Sequence, residues 1–151
     1  PAGAQPGAAA KTASGAEPDR LAGRHVLLCE DHPLNQEIAA ALLSERQMNV
    51  TLAEDGRRGL ELFRAAPSGY YDAILMDIRM PVMDGYEATG AIRALDRPDA
   101  KTVPIIAMTA DAFTDDVQRC LDAGMNGHIP KPIDPSALYR ALGEAIKGAD
   151  N

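Results

Sequence analysis

The stretch DAILMDIRMPVMDG, Asp72 to Gly85, decides how this chain is read. Ala73 to Met76 form a continuous apolar run, which suits a strand covered on both faces rather than a half-exposed, alternating one. The run stops abruptly on Asp77, and Met80-Pro81 and Asp84-Gly85 follow close behind. A carboxylate that ends a buried strand belongs at the rim of a sheet.

Working outward, the same grammar repeats. HVLLC (25–29) runs into Glu30-Asp31, and NVTLA (49–53) into Glu54-Asp55-Gly56. VPIIAM (103–108) stops at Thr109, and the short GHI (127–129) precedes Pro130-Lys131-Pro132. Between these runs the apolar spacing turns helical. A first helix opens at Pro33, where a missing N–H costs nothing, with Ile38, Ala41 and Leu42 as its expected stripe. Leu60 and Phe63 anchor a second, and a third starts at Gly85 with Ala88, Ile92 and Leu95, ended by Arg97-Pro98. Phe113, Val117, Cys120 and Leu121 mark a fourth, closed by Gly124. Leu138, Ala141, Leu142, Ala145 and Ile146 mark a fifth. Strands alternating with helices predict right-handed βαβ crossovers: an α/β fold with a doubly wound, five-stranded parallel sheet.

Bulk properties agree. The 151 residues are 46% hydrophobic and 25% charged, enough for one domain with a real core, and at 4% aromatic that core is aliphatic. Residues 1–24 hold many Ala, Gly and Pro and only Leu21 as a large apolar residue, so they are expected to be a flexible linker or tail. The folded unit is then 25–147, with 148–151 as a C-terminal tail. No apolar run approaches the ~20 residues of a membrane span, and the start lacks a secretory pattern. The net charge of −7 argues against a nucleic-acid partner. Cys29 and Cys120 lack the spacing of a zinc site and are expected to be buried, reduced thiols, so a cytoplasmic location is expected.

In an open doubly wound sheet, sites form outside the carboxyl ends of the strands. Glu30, Asp31, Asp77, Thr109 and Lys131 should therefore converge. Three carboxylates in one pocket repel each other unless a cation intervenes, and a hard divalent ion with oxygen ligands answers that need. Mg²⁺ fits best, with Mn²⁺ as a substitute. Together with a hydroxyl and a lysine, this set suits phosphoryl transfer to a carboxylate, with Asp77 attacking phosphorus and Lys131 neutralising the equatorial oxygens. Singly, each residue has a plain explanation: Asp31 as a helix cap, Asp77 and Thr109 as turn or cap residues, Lys131 as a solvated charge. Four such residues at successive strand ends make independent plain explanations improbable.

LLCEDHPLNQE, DAILMDIRMPVMDGYEATGAIR, PIIAMTADAF and AGMNGHIPKPID resemble the receiver domain of bacterial two-component response regulators, over about residues 25–147. The form of the central motif is most like receivers carried by hybrid sensor histidine kinases. The resemblance implies a flavodoxin-like strand order 2-1-3-4-5. It makes Asp77 the phosphoacceptor and Glu30 and Asp31 the acidic pair for Mg²⁺, with the backbone carbonyl of Arg79 as a further ligand. Thr109 becomes the switch hydroxyl and Lys131 the phosphate-pairing lysine, followed by a cis proline at Pro132. The position of the family's switch aromatic is His128, a departure from the usual Tyr or Phe. Arg79 and Asp111 occupy positions that tune hydrolysis in the family.

The resemblance further implies a domain that catalyses its own phosphorylation and dephosphorylation. Its expected partners are a histidine kinase, or its own kinase core, and a histidine phosphotransfer domain. Receivers often pair through a face that here carries Asp115, Asp116, Arg119 and Arg140. Two other classes compete. A haloacid-dehalogenase-type phosphohydrolase would carry a second Asp two residues after its nucleophile, where this chain has Arg79. A receiver-shaped docking module working without phosphorylation would not need the full set of site residues.

Overall fold

The computed structural model describes residues 21–110 and 114–150, and side chains within that range except those of 114–116, 149 and 150. The elements run β1 (His25–Cys29), α1 (Pro33–Glu45), β2 (Asn49–Ala53), α2 (Gly56–Ala65), β3 (Ala73–Asp77) and α3 (Gly85–Arg93). They continue with α4 (Pro98–Thr102), β4 (Ile105–Thr109), α5 (Thr114–Ala123), β5 (Gly127–Pro130) and α6 (Pro135–Asp150). The five strands form one parallel sheet in the order β2-β1-β3-β4-β5, as expected. All residues of β3 and β4 are buried, which explains their unbroken apolar runs.

The sheet separates two cores. Alternate strand residues Leu27, Ile74, Met76, Ile105 and Ala107 face Phe63, Ala88, Ile92 and Cys120 from α2, α3 and α5. Their neighbours Val26, Leu28, Leu75, Ile106 and Met108 face Ala39 and Leu43 of α1 and Leu138, Leu142 and Ile146 of α6. Both cysteines are free and buried. Desolvation, helped by the charges of Asp55 and Asp77, pushes the Cys29 thiol up to about 12, so it stays neutral.

Capping chemistry sets where helices start. Asp55 accepts from Arg58 N at 2.7 Å to open α2. Asp84 and Glu87 form a reciprocal capping box at α3, which fixes the return of the chain after β3. Gly124, at φ +108°, follows α5 in the left-handed conformation expected of it.

Several expectations need correction. Ile38 is 41% exposed and Ala41 is also exposed, whereas Ala39 and Leu43 are buried. Helix α1 is apolar over most of its circumference, so periodicity alone could not fix which face turns inward. Pro98 opens the short α4 instead of merely ending α3, because a proline is as compatible with a first turn as with a stop. Leu121 is 51% exposed while Cys120 is buried; Phe113 lies outside the described residues. Leu21 is buried in the second core, and Gly23 N donates to Gln47 O, so the fold includes residues 21–24 that were expected to belong to a linker. At the other end α6 continues to Asp150, into the stretch expected to be a tail. Among the described residues, no helix is long and apolar enough to cross a membrane.

Candidate functional site

The carboxyl ends of β1, β3, β4 and β5 deliver the expected residues to one place. Glu30 follows β1 and Asp77 ends β3, and both are almost wholly buried, at 1% and 4% exposure. Asp31 stands at the exposed rim. One carboxylate oxygen from each of Glu30, Asp31 and Asp77 lies within 4.8 Å of the others. Lys131 Nζ reaches Glu30 Oε1 at 2.9 Å and Asp77 Oδ2 at 3.1 Å. Lys131 directly follows β5; its N–H donates to Thr109 O at 2.8 Å, and the Lys131–Pro132 peptide is cis. Thr109 is buried at the end of β4. Lys131 is thus no solvated surface charge. Asp31 does not cap α1 either, since the cap position is His32.

Charge balance explains the protonation behaviour. Two buried carboxylates share one ammonium, with the exposed Asp31 carboxylate close by, so the cluster is short of positive charge. Burial, then the negative charge of Glu30, pushes the Asp77 carboxyl up to about 7 against the pull of Lys131. For Glu30, burial works in the same direction, but the His32 N–H at 3.0 Å and Lys131 outweigh it and hold the carboxyl below its ordinary value. Burial opposes the Lys131 charge, yet the two carboxylates win and raise its pKa. Gln36 Nε2 donates to Glu30 O at 2.7 Å and fixes the turn from β1 into α1. The oxygen-only donor set, its excess negative charge and its one exposed member fit a hard divalent cation that keeps several waters.

The loop after Asp77 is held tightly at both ends. Gly85 N donates to Ile78 O at 2.9 Å, and a Cβ on Gly85 would lie 2.4 Å from Asp77 O and 2.9 Å from Ile78 Cα. The Asp-Gly pair therefore follows Asp77 because the chain folds back onto the phosphoacceptor candidate's own backbone, where only glycine fits. Between these points Val82 adopts φ +71° with its side chain 73% exposed. For a β-branched residue that conformation costs about 1–3 kcal/mol. Arg79 is exposed and, with Ile78, Asp84, Tyr86, Thr109 and Arg119, lines a 300 Å³ cleft beside the site. Arg119 stacks over the Tyr86 ring at 4.3 Å and ties α5 to α3. Asp111 and the side chains of Asp115 and Asp116 lie outside the described residues.

His128 does not join the cluster's ion pairs. It is half-buried on β5, opposite Ala107 of β4, and lines a separate groove with Asn126, Ala141 and Ala145. Sequence reasoning missed Gly56, whose N–H donates to Met83 O of the loop at 3.1 Å. Its sequence signal was only a glycine in an apparent turn.

A doubly wound sheet with a buried carboxylate cluster and a single lysine at its carboxyl edge is the architecture of a receiver. The chain belongs to the response regulator receiver domain family, which residues 26–143 match. It is 39% identical over 123 residues to "Hybrid signal transduction histidine kinase I" of Dictyostelium discoideum, covering 80% of this chain and 7% of that protein. It is 40% identical over 144 residues to "Probable histidine kinase 2" of Oryza sativa subsp. indica, covering 87% of this chain and 14% of that one. The chain thus spans only a small part of these curated relatives. Among solved structures it resembles the receiver domain of the sensor histidine kinase PA1611 from Pseudomonas aeruginosa, which has a magnesium ion coordinated in its active-site cleft. That match has 44% identity and a TM-score of 0.75, covering 83% of this chain and 99% of that one. The receiver domain of the Saccharomyces cerevisiae response regulator Ssk1, solved with the histidine phosphotransfer protein Ypd1, gives 27% identity and a TM-score of 0.71, over 82% and 88% of the two chains. This is a receiver domain of two-component and phosphorelay signalling.

Proposed function

We propose that Asp77 accepts a phosphoryl group from a phosphohistidine. The single observation that carries this reading is the buried Asp77 set between Glu30, Asp31 and Lys131. An Asp77 carboxylate oxygen bonds to phosphorus as the P–N bond to imidazole breaks, and the electron pair leaves with the imidazole nitrogen. Lys131 releases Asp77 Oδ2 and pairs with a phosphoryl oxygen, while the Thr109 hydroxyl donates to another. Glu30, Asp31, Asp77 and the Arg79 carbonyl would hold Mg²⁺, with Mn²⁺ able to replace it. The ion supplies charge neutralisation for the phosphoryl oxygens. Thr109 and His128 stand on adjacent strands, and the proposal makes them the route by which phosphorylation changes the surface around β5 and α6.

The proposed donors and acceptors are a histidine kinase, its own kinase core, or a histidine phosphotransfer domain. Leu34 at 58% exposure and Ile38 at 41% lie on the outward face of α1, which starts two residues after Asp31, and Val82 projects from the loop after Asp77. An apolar collar around an acidic pocket suits a helical partner that must bring an imidazole to Asp77. The similarity to histidine kinases makes a parent hybrid kinase the proposed setting, and the buried thiols suit the cytoplasm.

The test is phosphorylation of the full chain by acetyl phosphate or phosphoramidate, followed by intact mass. One added phosphoryl group, dependent on Mg²⁺ and absent in Asp77→Asn, is expected. If neither an adduct nor beryllofluoride binding at the site is found, the chain is a docking module that works without phosphate.

A further inference from the structure

Gly56 lies in the first turn of α2, away from every residue of the acidic cluster in sequence, yet it touches the loop that follows Asp77. Its N–H donates to Met83 O at 3.1 Å. A Cβ built on Gly56 would lie 2.3 Å from that same oxygen and 3.0 Å from Ala88 Cβ. Gly56 does not have the positive φ of Gly23, Gly69 and Gly124. Backbone freedom is therefore not the reason for a glycine here; close approach to the loop is.

What Gly56 holds is a segment that would otherwise relax. Val82, immediately before Met83, is in the left-handed region, which a β-branched side chain disfavours. Its side chain is 73% exposed and has little packing to enforce that conformation. The constraint must come from the backbone on either side. Toward the carboxyl end it comes from Met83 O accepting from Gly56 and from Gly85 N donating to Ile78 O. Asp55 supports this arrangement by capping the turn of α2 that carries Gly56, accepting from Arg58 N. Strain that persists beside a functional site is held by its surroundings: the Met83 N–H closes the turn onto Pro81 O at 2.7 Å, Gly85 ties it to Ile78, and the Gly56 N–H is the contact that comes from a neighbouring helix.

We propose that Gly56 is a positioning residue for the phosphoacceptor site, its N–H and missing side chain clamping the strained Val82–Met83 turn so that the Asp77–Arg79 backbone is pre-set for the cation. This rests on the functional reading above for the role of the cation, but the clamp itself is a property of the metal-free chain. Gly56 acts through the loop and touches no reacting atom.

The test compares wild type, Gly56→Ala, Val82→Gly and the double variant, all as the full chain. In metal-free protein, Gly56→Ala is expected to move the amide resonances of Ile78, Arg79 and Gly85 while leaving those of α6 on the opposite face of the sheet, such as Leu142, in place. Titration with Mg²⁺ alone should then show binding about tenfold weaker in Gly56→Ala, the scale of an outer-shell loss at a metal site. Val82→Gly should bind at least as well as wild type. In the double variant it should recover most of the lost affinity, because the strain that the clamp opposes is gone. A role in overall stability alone would not produce that rescue. If Gly56→Ala does not fold, Asp55→Ala loosens the same turn without adding bulk and should shift the same amides in the same direction. Unmoved loop amides, wild-type Mg²⁺ affinity in Gly56→Ala, or no recovery in the double variant would each overturn the clamp. Failure of wild type to bind Mg²⁺ would overturn the functional reading instead, and the metal-free amide shifts would still decide the clamp.

Discussion

Two aspartates of this domain lie beside a cation, Asp77 deep beneath the strand ends and Asp99 nearer the surface, and they are driven in opposite directions. Asp99 receives Arg97 through two bonds, Nε to Oδ1 at 2.6 Å and Nη2 to Oδ2 at 2.9 Å, and accepts the Gly69 N–H at 2.8 Å. The Arg97 bonds hold its carboxyl down at about 2 despite desolvation. Asp77 shares Lys131 with Glu30 and is pushed up to about 7. The difference is depth together with stoichiometry: desolvation weighs most on Asp77, whereas the Arg97 bonds outweigh it at Asp99. One carboxylate with one bidentate guanidinium is a closed structural pair, whereas three carboxylates with one ammonium remain short of positive charge. Unmet electrostatic demand in a preformed pocket is what distinguishes a site from a staple.

The most severe way to break the comparison is Lys131→Met. Glu30 and Asp77 would lose their only cation among the described residues. A cost of about 2–4 kcal/mol in metal-free denaturant unfolding at pH 8 is expected, as for a buried pair stripped of one partner. The cost should shrink toward pH 6, where Asp77 already carries a proton. Equal losses at both pH values would mean that Asp77 is not the group under strain.

Arg97→Ala should cost less, about 1–2 kcal/mol, because Asp99 is near the surface and keeps the Gly69 N–H. The folded pKa of Asp99 lies below its unfolded value, so this stabilisation is present above about pH 4 and lost as pH falls from about 4 to about 2. The variant should flatten the acid limb of the stability curve and leave phosphorylation by acetyl phosphate unchanged. A loss of phosphoryl uptake would show that the two pairs are coupled after all.

Asp77→Asn comes last because it is expected to cost no stability at all: its effect has the opposite sign. The folded protein keeps a proton on Asp77 between about pH 4 and about pH 7 that the unfolded chain has released, so metal-free stability falls with rising pH across that window. Removing the carboxylate should raise metal-free stability at pH 8 above that of wild type and abolish that slope. Saturating Mg²⁺ should bring wild type toward the variant, and a pH-independent difference between them would refute the assigned titration.

How much of this was legible depended on the kind of signal. Asp77 and Thr109 each interrupt an apolar run, and Glu30 and Lys131 follow one, so their strand-end placement could be read from the order of residues alone. Helix phase was harder. Helix α1 has Leu34, Ile38, Ala39 and Leu43 in turn, and only docking against β1 and α6 turned Ala39 and Leu43 inward and left Ile38 out. Pro98 carried two meanings, stop and start, and the packing of α4 chose the second. Leu21 looked like part of an Ala-rich lead-in because one apolar residue has no period.

By itself the sequence determined the parallel α/β class and the convergence of four strand ends, because doubly covered strands demand unbroken apolar runs and polar residues then stand out where those runs stop. Tertiary structure alone decided that one lysine would serve both Glu30 and Asp77, which sets the protonation of the site. It alone set Gly56 against Met83 and Gly85 against Asp77. Such contacts join residues far apart in the chain at distances below 3.5 Å, and no local pattern of residue types encodes a distance of that kind.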